Sequence, residues 1–303
     1  MIDRCWICGG ADLARFHEAP FDFHQYADED RDLYAYTGRH VWLVRCGACG
    51  FGQPEELPAL DRFFDRMYAQ RWSDEWIAAE FDADYKDFIF ASILRALKHR
   101  VPPARRTLLD IGAHAGRFLH FAQADGWRVE GIELNPRTAA FAAKRTGALV
   151  HQVNAHALAS DGRRFGAVVL TDVLEHIPEP MRLLESMAAL VEPGGSIAVK
   201  VPNGRAQWIK ERALAAISAH RVSLADNLVH VNHFSPRSLM LGLEQAGFSG
   251  VTVRTAPPEL PHGGLSRAAR LATFGAASLP GAVHTPLALN LQAYGTLGSR
   301  YQS

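Results

Sequence analysis

Thr107-Leu108-Leu109-Asp110-Ile111-Gly112-Ala113-His114-Ala115-Gly116 opens the stretch that decides the fold. A short apolar run ends in an acid and a glycine, as a buried strand does when it enters a tight turn. Arg117-Phe118-Leu119-His120-Phe121-Ala122 follows with helical spacing, and Gly126 closes that helix. Trp127-Arg128-Val129-Glu130-Gly131-Ile132-Glu133 reads as the next strand and ends on an acid. Strand, glycine turn, helix and strand make a βαβ unit of nucleotide-binding type. Glu133 lies about 20 residues beyond Gly112, where a carboxylate can accept hydrogen bonds from ribose hydroxyls. A dinucleotide fingerprint needs a glycine where His114 stands, so a cofactor without a pyrophosphate fits better.

With its acid and two of three glycines, this stretch resembles the class I S-adenosylmethionine-dependent methyltransferases, whose first motif is usually D-x-G-x-G-x-G. The resemblance extends through Phe165–Leu170 as the fourth strand and through Thr171-Asp172-Val173-Leu174-Glu175-His176-Ile177-Pro178 as the segment after it. It continues with a helix from Met181 to Val191, the turn Glu192–Ser196, and the fifth strand Ile197–Pro202. Phe234-Ser235-Pro236 opens a helix with Ser235 as N-cap, and Ala246-Gly247-Phe248 ends it. Leu289 to Tyr294 fits a last strand. The resemblance implies an α/β, Rossmann-like fold: a seven-stranded sheet with helices on both faces. By position it also implies that Asp110, Gly112, Ala113, His114 and Gly116 shape the cofactor's amino-acid end. Glu133 then holds the ribose, Asn154 faces the adenine amine, Leu170 and Thr171 wall the pocket near the sulfonium, and Leu134 and Ala155 join the cofactor-binding residues.

The four cysteines form two copies of one pattern, Cys5-Trp6-Ile7-Cys8-Gly9 and Cys46-Gly47-Ala48-Cys49-Gly50. Each pair has the spacing that brings two thiolates to one tetrahedral ion, and four thiolates close the shell of a structural zinc. Disulfides and a redox site are the alternatives; a cytosolic chain seldom keeps the first, and the second has no use for a twin. Tyr34-Ala35-Tyr36 and His40–Arg45 read as short strands between the pairs, and the whole resembles a zinc ribbon. Gln53–Pro58 reads as a linker. Phe63, Phe64, Met67, Tyr68, Trp72 and Trp76 recur at helical spacing, a pattern of core packing, with a cavity lining as the sharper alternative. Phe88, Ile89, Ile93, Leu94 and Leu97 mark another helix, ended by Val101-Pro102-Pro103. The organisation is therefore a zinc-ribbon module over 1–58, helices over 59–104, and a catalytic domain over 105–303, with acceptor-side insertions at 204–232 and 257–288.

Composition narrows the function. Of 303 residues, 48% are hydrophobic and 21% charged, with a net charge of zero, which describes a soluble globular chain. No apolar run reaches membrane-spanning length and no signal core opens the chain, so it is expected in the cytoplasm. Residues 1–100 hold 12 Lys/Arg against 18 Asp/Glu, an acidic front end that argues against nucleic acid as a partner.

Methyl transfer from a sulfonium is an in-line displacement, and a hydroxyl acceptor gains from a base with a pKa near neutral. His233, His230 and His176 are the candidates. The run Asp172, Glu175, His176 is similar to the E-x-x-E-H of quinone-biosynthetic O-methyltransferases, which can hold a divalent cation; no catalytic cation is expected here, because L-E-H also occurs in relatives without metal. The reading is a methyltransferase acting on a small-molecule or glycan acceptor, on oxygen. The alternatives are an RNA base methyltransferase with a zinc module and a non-catalytic S-adenosylmethionine-binding scaffold.

Overall fold

The computed structural model describes residues 1–69, 73–219, 221–260 and 264–298. The front of the chain folds into a three-stranded antiparallel sheet of β1 (Leu13–Pro20), β2 (His40–Cys46) and β3 (Gly52–Pro54), in the order β1-β2-β3. The strand expected at Tyr34–Tyr36 is absent. Tyr34 instead ends a short helix, α1 (Arg31–Tyr34), which Asp30 caps by accepting from Leu33 N at 3.0 Å. β2 pairs with β1 on one side, from Leu13↔Cys46 to Pro20↔His40, and with β3 on the other. The linker expected from Gln53 begins later, because Gln53 and Pro54 complete β3. Gln53 is fully buried; its Oε1 accepts from Trp6 N at 2.8 Å and its Nε2 donates to Arg4 O at 2.9 Å, which pins the first cysteine pair to the sheet.

Three helices follow: α2 (Phe63–Ala69), α3 (Asp74–Asp82) and α4 (Asp87–Lys98). Phe63 and Met67 are buried with Leu43 of the small sheet and with Phe21 and Phe23 just after β1, so this part of the aromatic stripe packs as core. Trp76 sits on α3, and Trp72 and the side chain of Tyr68 lie outside the described residues. On α4, Ile89, Ile93, Leu94 and Leu97 face the large sheet.

That sheet has the order β6-β5-β4-β7-β8-β10-β9. Its strands are β4 (Thr107–Ile111), β5 (Arg128–Ile132), β6 (Leu149–His151), β7 (Phe165–Thr171), β8 (Val191–Pro202), β9 (Phe248–Thr255) and β10 (Asn290–Leu297). Strands β4 to β8 pair in parallel, and β10 is antiparallel to both β8 and β9. The central strands read as nearly continuous apolar runs because helices cover both faces. These helices are α5 (Arg117–Ala124), α6 (Pro136–Thr146), α7 (Ala155–Ser160), α8 (Pro180–Leu190) and α10 (Pro236–Gln245), with α9 (Gly204–Ile217) and α11 (Gly264–Ala277) in the two insertions. Val191 pairs with Phe165 and belongs to β8 rather than to α8; the Pro-Gly-Gly turn then appears as a register shift before Ala167↔Ser196. The insertion at 204–232 is helical only to Ile217, apart from a 3-10 turn at Asp226–Leu228. Strand order reverses between β4 and β7, and the carboxyl ends there open the crevice in which such sheets bind ligands.

Candidate active site

One wall of the crevice is local. Asp110 lies opposite Gly131 and Ile111 opposite Ile132, so the neighbouring strand ends bring Asp110 and Glu133 together. The loop between them is pinned by Gly112 N and Ala113 N, both donating to Ile132 O at 2.9 Å. Gly112 has φ +75, and a Cβ there would meet Val173 Cγ2 at 2.5 Å; only glycine fits. His114 adopts φ +50, a left-handed conformation that costs a side-chain-bearing residue about 1 kcal/mol. Its N–H offsets that cost by donating to Glu133 Oε2 at 2.9 Å, and Asn135 N donates to Oε1 at 2.8 Å. Each carboxylate oxygen keeps a second lone pair for a ligand hydroxyl. The Trp76 ring meets the His114 ring edge-on at 5.1 Å, so α3 covers the loop.

Burial, and secondarily Glu133, lifts the Asp110 carboxyl well above its ordinary pKa. Burial raises Glu133 too, against the pull of backbone N–H groups at Asn135, His114 and Leu134. Neither acid forms an ion pair among the described residues. Desolvation disfavours the charged form of both acids, and a positively charged ligand bound beside them would offset that penalty. Of the other expected contacts, Leu134 is exposed, while Ala155 and Leu170 are in the core. Asn154 Oδ1 caps α7 by accepting from Ala157 N at 2.8 Å. The Thr171 hydroxyl is buried without a hydrogen-bond partner.

The opposite wall is assembled from distant segments. Asp172, φ +57, follows β7 and sits between Lys200 on β8, which is 3% exposed, and Lys86, whose Nζ is 3.0 Å from Asp172 Oδ2. Burial would raise Asp172, but the two ammonium groups outweigh it and hold the carboxylate well below the usual range. Glu175 is 1% exposed, and burial, with Asp172 adding to it, pushes its pKa up to about 8. His176 Nδ1 lies 2.5 Å from Val229 O, and its ring is 4.9 Å from that of His230. Burial, assisted by His176, lowers His230 to about 4. Ligand-type atoms of Glu175, His176 and His230 lie within 4.8 Å of one another. The trio Asp172, Glu175, His176 is thus not the one the fold converges: the lysines occupy Asp172, and His230 takes its place.

His233 lies elsewhere. It is 5% exposed, with Trp208 Nε1 donating to its Nδ1 at 3.3 Å, and burial lowers it to about 3. It packs beside Phe16 and Trp208, where the small sheet meets α9. The four cysteines come together as their spacing suggests. Cys5 Sγ is 3.5 Å from Cys49 Sγ, Cys8 Sγ is 3.5 Å from Cys46 Sγ, and all four lie within 4.8 Å. Cys49, together with the amides of Cys8 and Ile7, draws Cys5 down to about 5, against the upward pull of burial. That is a donor set able to hold a thiophilic ion.

A methyltransferase domain model matches residues 81–253, more than half of the chain. The chain belongs to the methyltransferase-domain family. The ubiquinone biosynthesis O-methyltransferase of Cereibacter sphaeroides is 31% identical over 151 residues, covering 48% of this chain and 55% of that one. The protein of the same name from Coxiella burnetii is 24% identical over 109 residues, covering 34% and 47%. The chain thus spans about half the length of the curated relatives it matches. A chain from the complex of a Haloferax volcanii methyltransferase with its activator superposes with a TM-score of 0.52 at 15% identity, over 80% of this chain and 100% of that one. The plantazolicin methyltransferase BamL gives 0.51 at 13% identity, over 78% and 96%. Both establish the shared fold. The Rossmann-like α/β architecture read from Thr107–Glu133 is therefore confirmed.

Sequence reading missed Lys86, Lys200 and Asn232. Lys200 left a signal, a lone charge within the apolar strand Ile197-Ala198-Val199-Lys200-Val201. A buried ammonium demands a partner, and Asp172 is the nearby acid. Asn232 is 2% exposed and donates to Leu174 O at 2.8 Å and to Ile177 O at 2.7 Å, holding the turn that carries His176. Lys86 and Asn232 left no comparable signal.

Proposed function

We propose that this chain transfers a methyl group from S-adenosylmethionine to a hydroxyl oxygen of a small-molecule or glycan acceptor. The observation that carries the reading is the uncompensated pair Asp110 and Glu133 beside the Gly112–Gly116 loop. A sulfonium cofactor with an ammonium group supplies the missing positive charge, and its ribose hydroxyls have Glu133 as an acceptor. The O-methyltransferase names of the curated relatives support oxygen as the methylated atom.

The acceptor oxygen attacks the methyl carbon, the new C–O bond forms as the C–S bond breaks, and the cofactor leaves as a neutral thioether. His176 takes the acceptor's proton. Its Nδ1–H donates to Val229 O, which fixes the tautomer and leaves the lone pair on Nε2. Lys86 and Lys200 hold Asp172 and thereby the turn on which His176 stands. Cys5, Cys8, Cys46 and Cys49 hold one structural Zn2+, which stabilises the small front sheet. A second reading draws on the convergence of Glu175, His176 and His230, whose N/O donors suit a divalent transition ion; such an ion would acidify a bound phenol.

The test is turnover. The purified chain is incubated with the methyl donor and a panel of phenolic, alcoholic and sugar hydroxyls, and the demethylated cofactor is quantified by mass spectrometry. The reading expects donor binding and oxygen methylation of at least one class. Absence of donor binding overturns it. Retention of turnover after removal of exchangeable divalent cations, with zinc still held by the four cysteines and His176→Ala inactive, favours the base over the cation.

A further inference from the structure

The segment 229–235 is fastened along both edges. On one side it meets the second cysteine pair. Gly52 N donates to His233 O at 2.9 Å and His233 N returns to Gly52 O at 2.9 Å, an antiparallel bridge between the small sheet and the catalytic half. Ser235 Oγ donates to Cys49 O at 2.7 Å. The Phe51 and Phe234 rings meet at 5.0 Å inside the core that also contains Cys5, Cys46 and Cys49. On the other side the segment grips the turn after β7. Asn232 N donates to Glu175 O at 3.0 Å, Asn232 Nδ2 donates to Leu174 O and Ile177 O, and Val229 O holds His176 Nδ1.

Every link in this chain is buried or half-buried, and its bonds run largely through backbone atoms, whose positions cannot relax by a rotamer change. Gly52 shows how tight the seam is: a Cβ there would stand 3.0 Å from His233 Cβ and 3.5 Å from the Phe16 ring. Close approach rather than backbone conformation favours glycine there, because any larger residue makes His233 give by a few tenths of an ångström. A module that only recruited a partner would need no such seam with the residues around a catalytic turn.

We infer that the four-cysteine centre is a positioning element for methyl transfer: metal held by Cys5, Cys8, Cys46 and Cys49 sets the place of His176 and His230 through Gly52, His233 and Asn232. The inference rests on the reading of the chain as a methyltransferase with His176 as base. Gly52 and Asn232 are positioning residues; neither is assigned contact with cofactor or acceptor.

Two variants and one metal-removal experiment, all on the full chain, test it. Asn232→Ala removes the two carbonyl clamps, and Gly52→Ala crowds His233, which must give by a few tenths of an ångström; neither residue is a cysteine or part of the cofactor crevice. Each is expected to lower kcat at least tenfold, to leave the cofactor Kd within twofold, and to shift the acid limb of the kcat–pH profile. A structural defect alone would not move that limb. Hydrogen exchange is then compared, with the methyl donor at saturation, before and after treatment with a zinc chelator. The expectation is faster exchange in 172–178 and 229–235 together with 46–52, and no change in 107–133. Loosening confined to the two cysteine pairs, or both variants turning over at the parent rate, overturns the inference, as does an active, fully folded preparation that contains no metal. Failure of the parent chain to bind the methyl donor sinks the underlying reading instead, and the exchange measurement separates the two because it requires no turnover.

Discussion

The two walls of the crevice are built on opposite plans. The wall proposed for the cofactor lies between Thr107 and Glu133, one βαβ unit in which the loop, its glycines and its acid are fixed by neighbouring strand ends. The wall proposed for the acceptor draws Lys86, Asp172, Glu175, His176, Lys200, His230 and Asn232 from four places in the chain. Local construction makes binding robust to changes elsewhere. Distributed construction makes turnover sensitive to contacts far from the reacting atoms, because a displacement of about 1 Å can cost a hundredfold in rate. Damage to the first wall should therefore appear in cofactor affinity, and damage to the second in kcat.

The largest effect belongs to Glu133→Ala. In the proposed function it removes the acceptor of two ribose hydrogen bonds and half of the carboxylate pair, and charge-assisted bonds are worth about 1.5–3 kcal/mol each. Cofactor affinity measured by calorimetry should fall by roughly a thousandfold, at about 1.4 kcal/mol per decade, with an unchanged circular dichroism spectrum. Acid should mimic the variant in the parent chain. Burial has raised the Glu133 pKa, so affinity is complete above that value and declines as pH falls through it. A binding curve flat through the acidic range would remove the electrostatic basis of this wall.

His176→Ala comes next and should act in the complementary way. Loss of a general base costs about 10²–10⁴-fold in rate. Single-turnover kinetics should show kcat reduced about a hundredfold or more while cofactor Kd stays at the parent value. His230→Ala should lose less, since its ring packs on His176 and takes no proton in the mechanism. If the two variants weaken cofactor binding as strongly as turnover, the division between the walls fails.

Legibility followed the same division. The pattern from Thr107 to Glu133 foretold the strand, the turn, the helix and the acid, because parallel strands joined by one helix keep sequence order and spatial order the same. The cysteine pairs were readable because metal-ligand spacing is a local constraint. At the second wall, His176 and His230 were each visible as residue types, yet nothing in their spacing of 54 positions said that their rings touch. His233, three residues from His230, faces Trp208 at the seam with the small sheet. Only the bridge to Gly52 explains that divergence. Tyr34–Tyr36 reads as strand on propensity, but the Asp30 cap and a tertiary aromatic cluster with Phe21 and Phe63 override it. Asp172 carries the sharpest lesson. Sequence sets it with Glu175 and His176 in a run similar to a cation-binding one, without a cation being expected there, and two lysines, 86 residues before it and 28 after, hold it in the structure.

That clamp supplies a third test, smaller because one ammonium survives it. Lys200→Met leaves the half-buried Asp172 with Lys86 as its sole cationic partner among the described residues. Removing one member of a buried ion pair costs about 3–5 kcal/mol, and the remaining lysine should hold the loss to about 2–3 kcal/mol by urea denaturation. Adding Asp172→Asn to Lys200→Met should restore part of it, since the uncompensated charge is then gone. Strict additivity of the two substitutions would mean that Asp172 and Lys200 do not interact energetically.

The smallest effect separates two roles at one residue just past β6, outside the Thr107–Glu133 unit. Asn154 caps α7 through Oδ1, and by position it is also expected to face the adenine amine. Asn154→Ala should cost about 1 kcal/mol of stability from the lost cap, a loss that denaturant titration resolves. Asn154→Asp keeps a capping oxygen at a helix N-terminus, where negative charge is favourable by about 0.3–1 kcal/mol. Stability should therefore be preserved in the aspartate variant, while its charged acceptor gains a hydrogen bond from an exocyclic amine. Calorimetry should then show cofactor affinity rising about threefold for Asn154→Asp and falling by a similar factor for Asn154→Ala. If stability follows this pattern while affinity is indifferent to both substitutions, Asn154 serves α7 alone, and the adenine is recognised elsewhere along the wall.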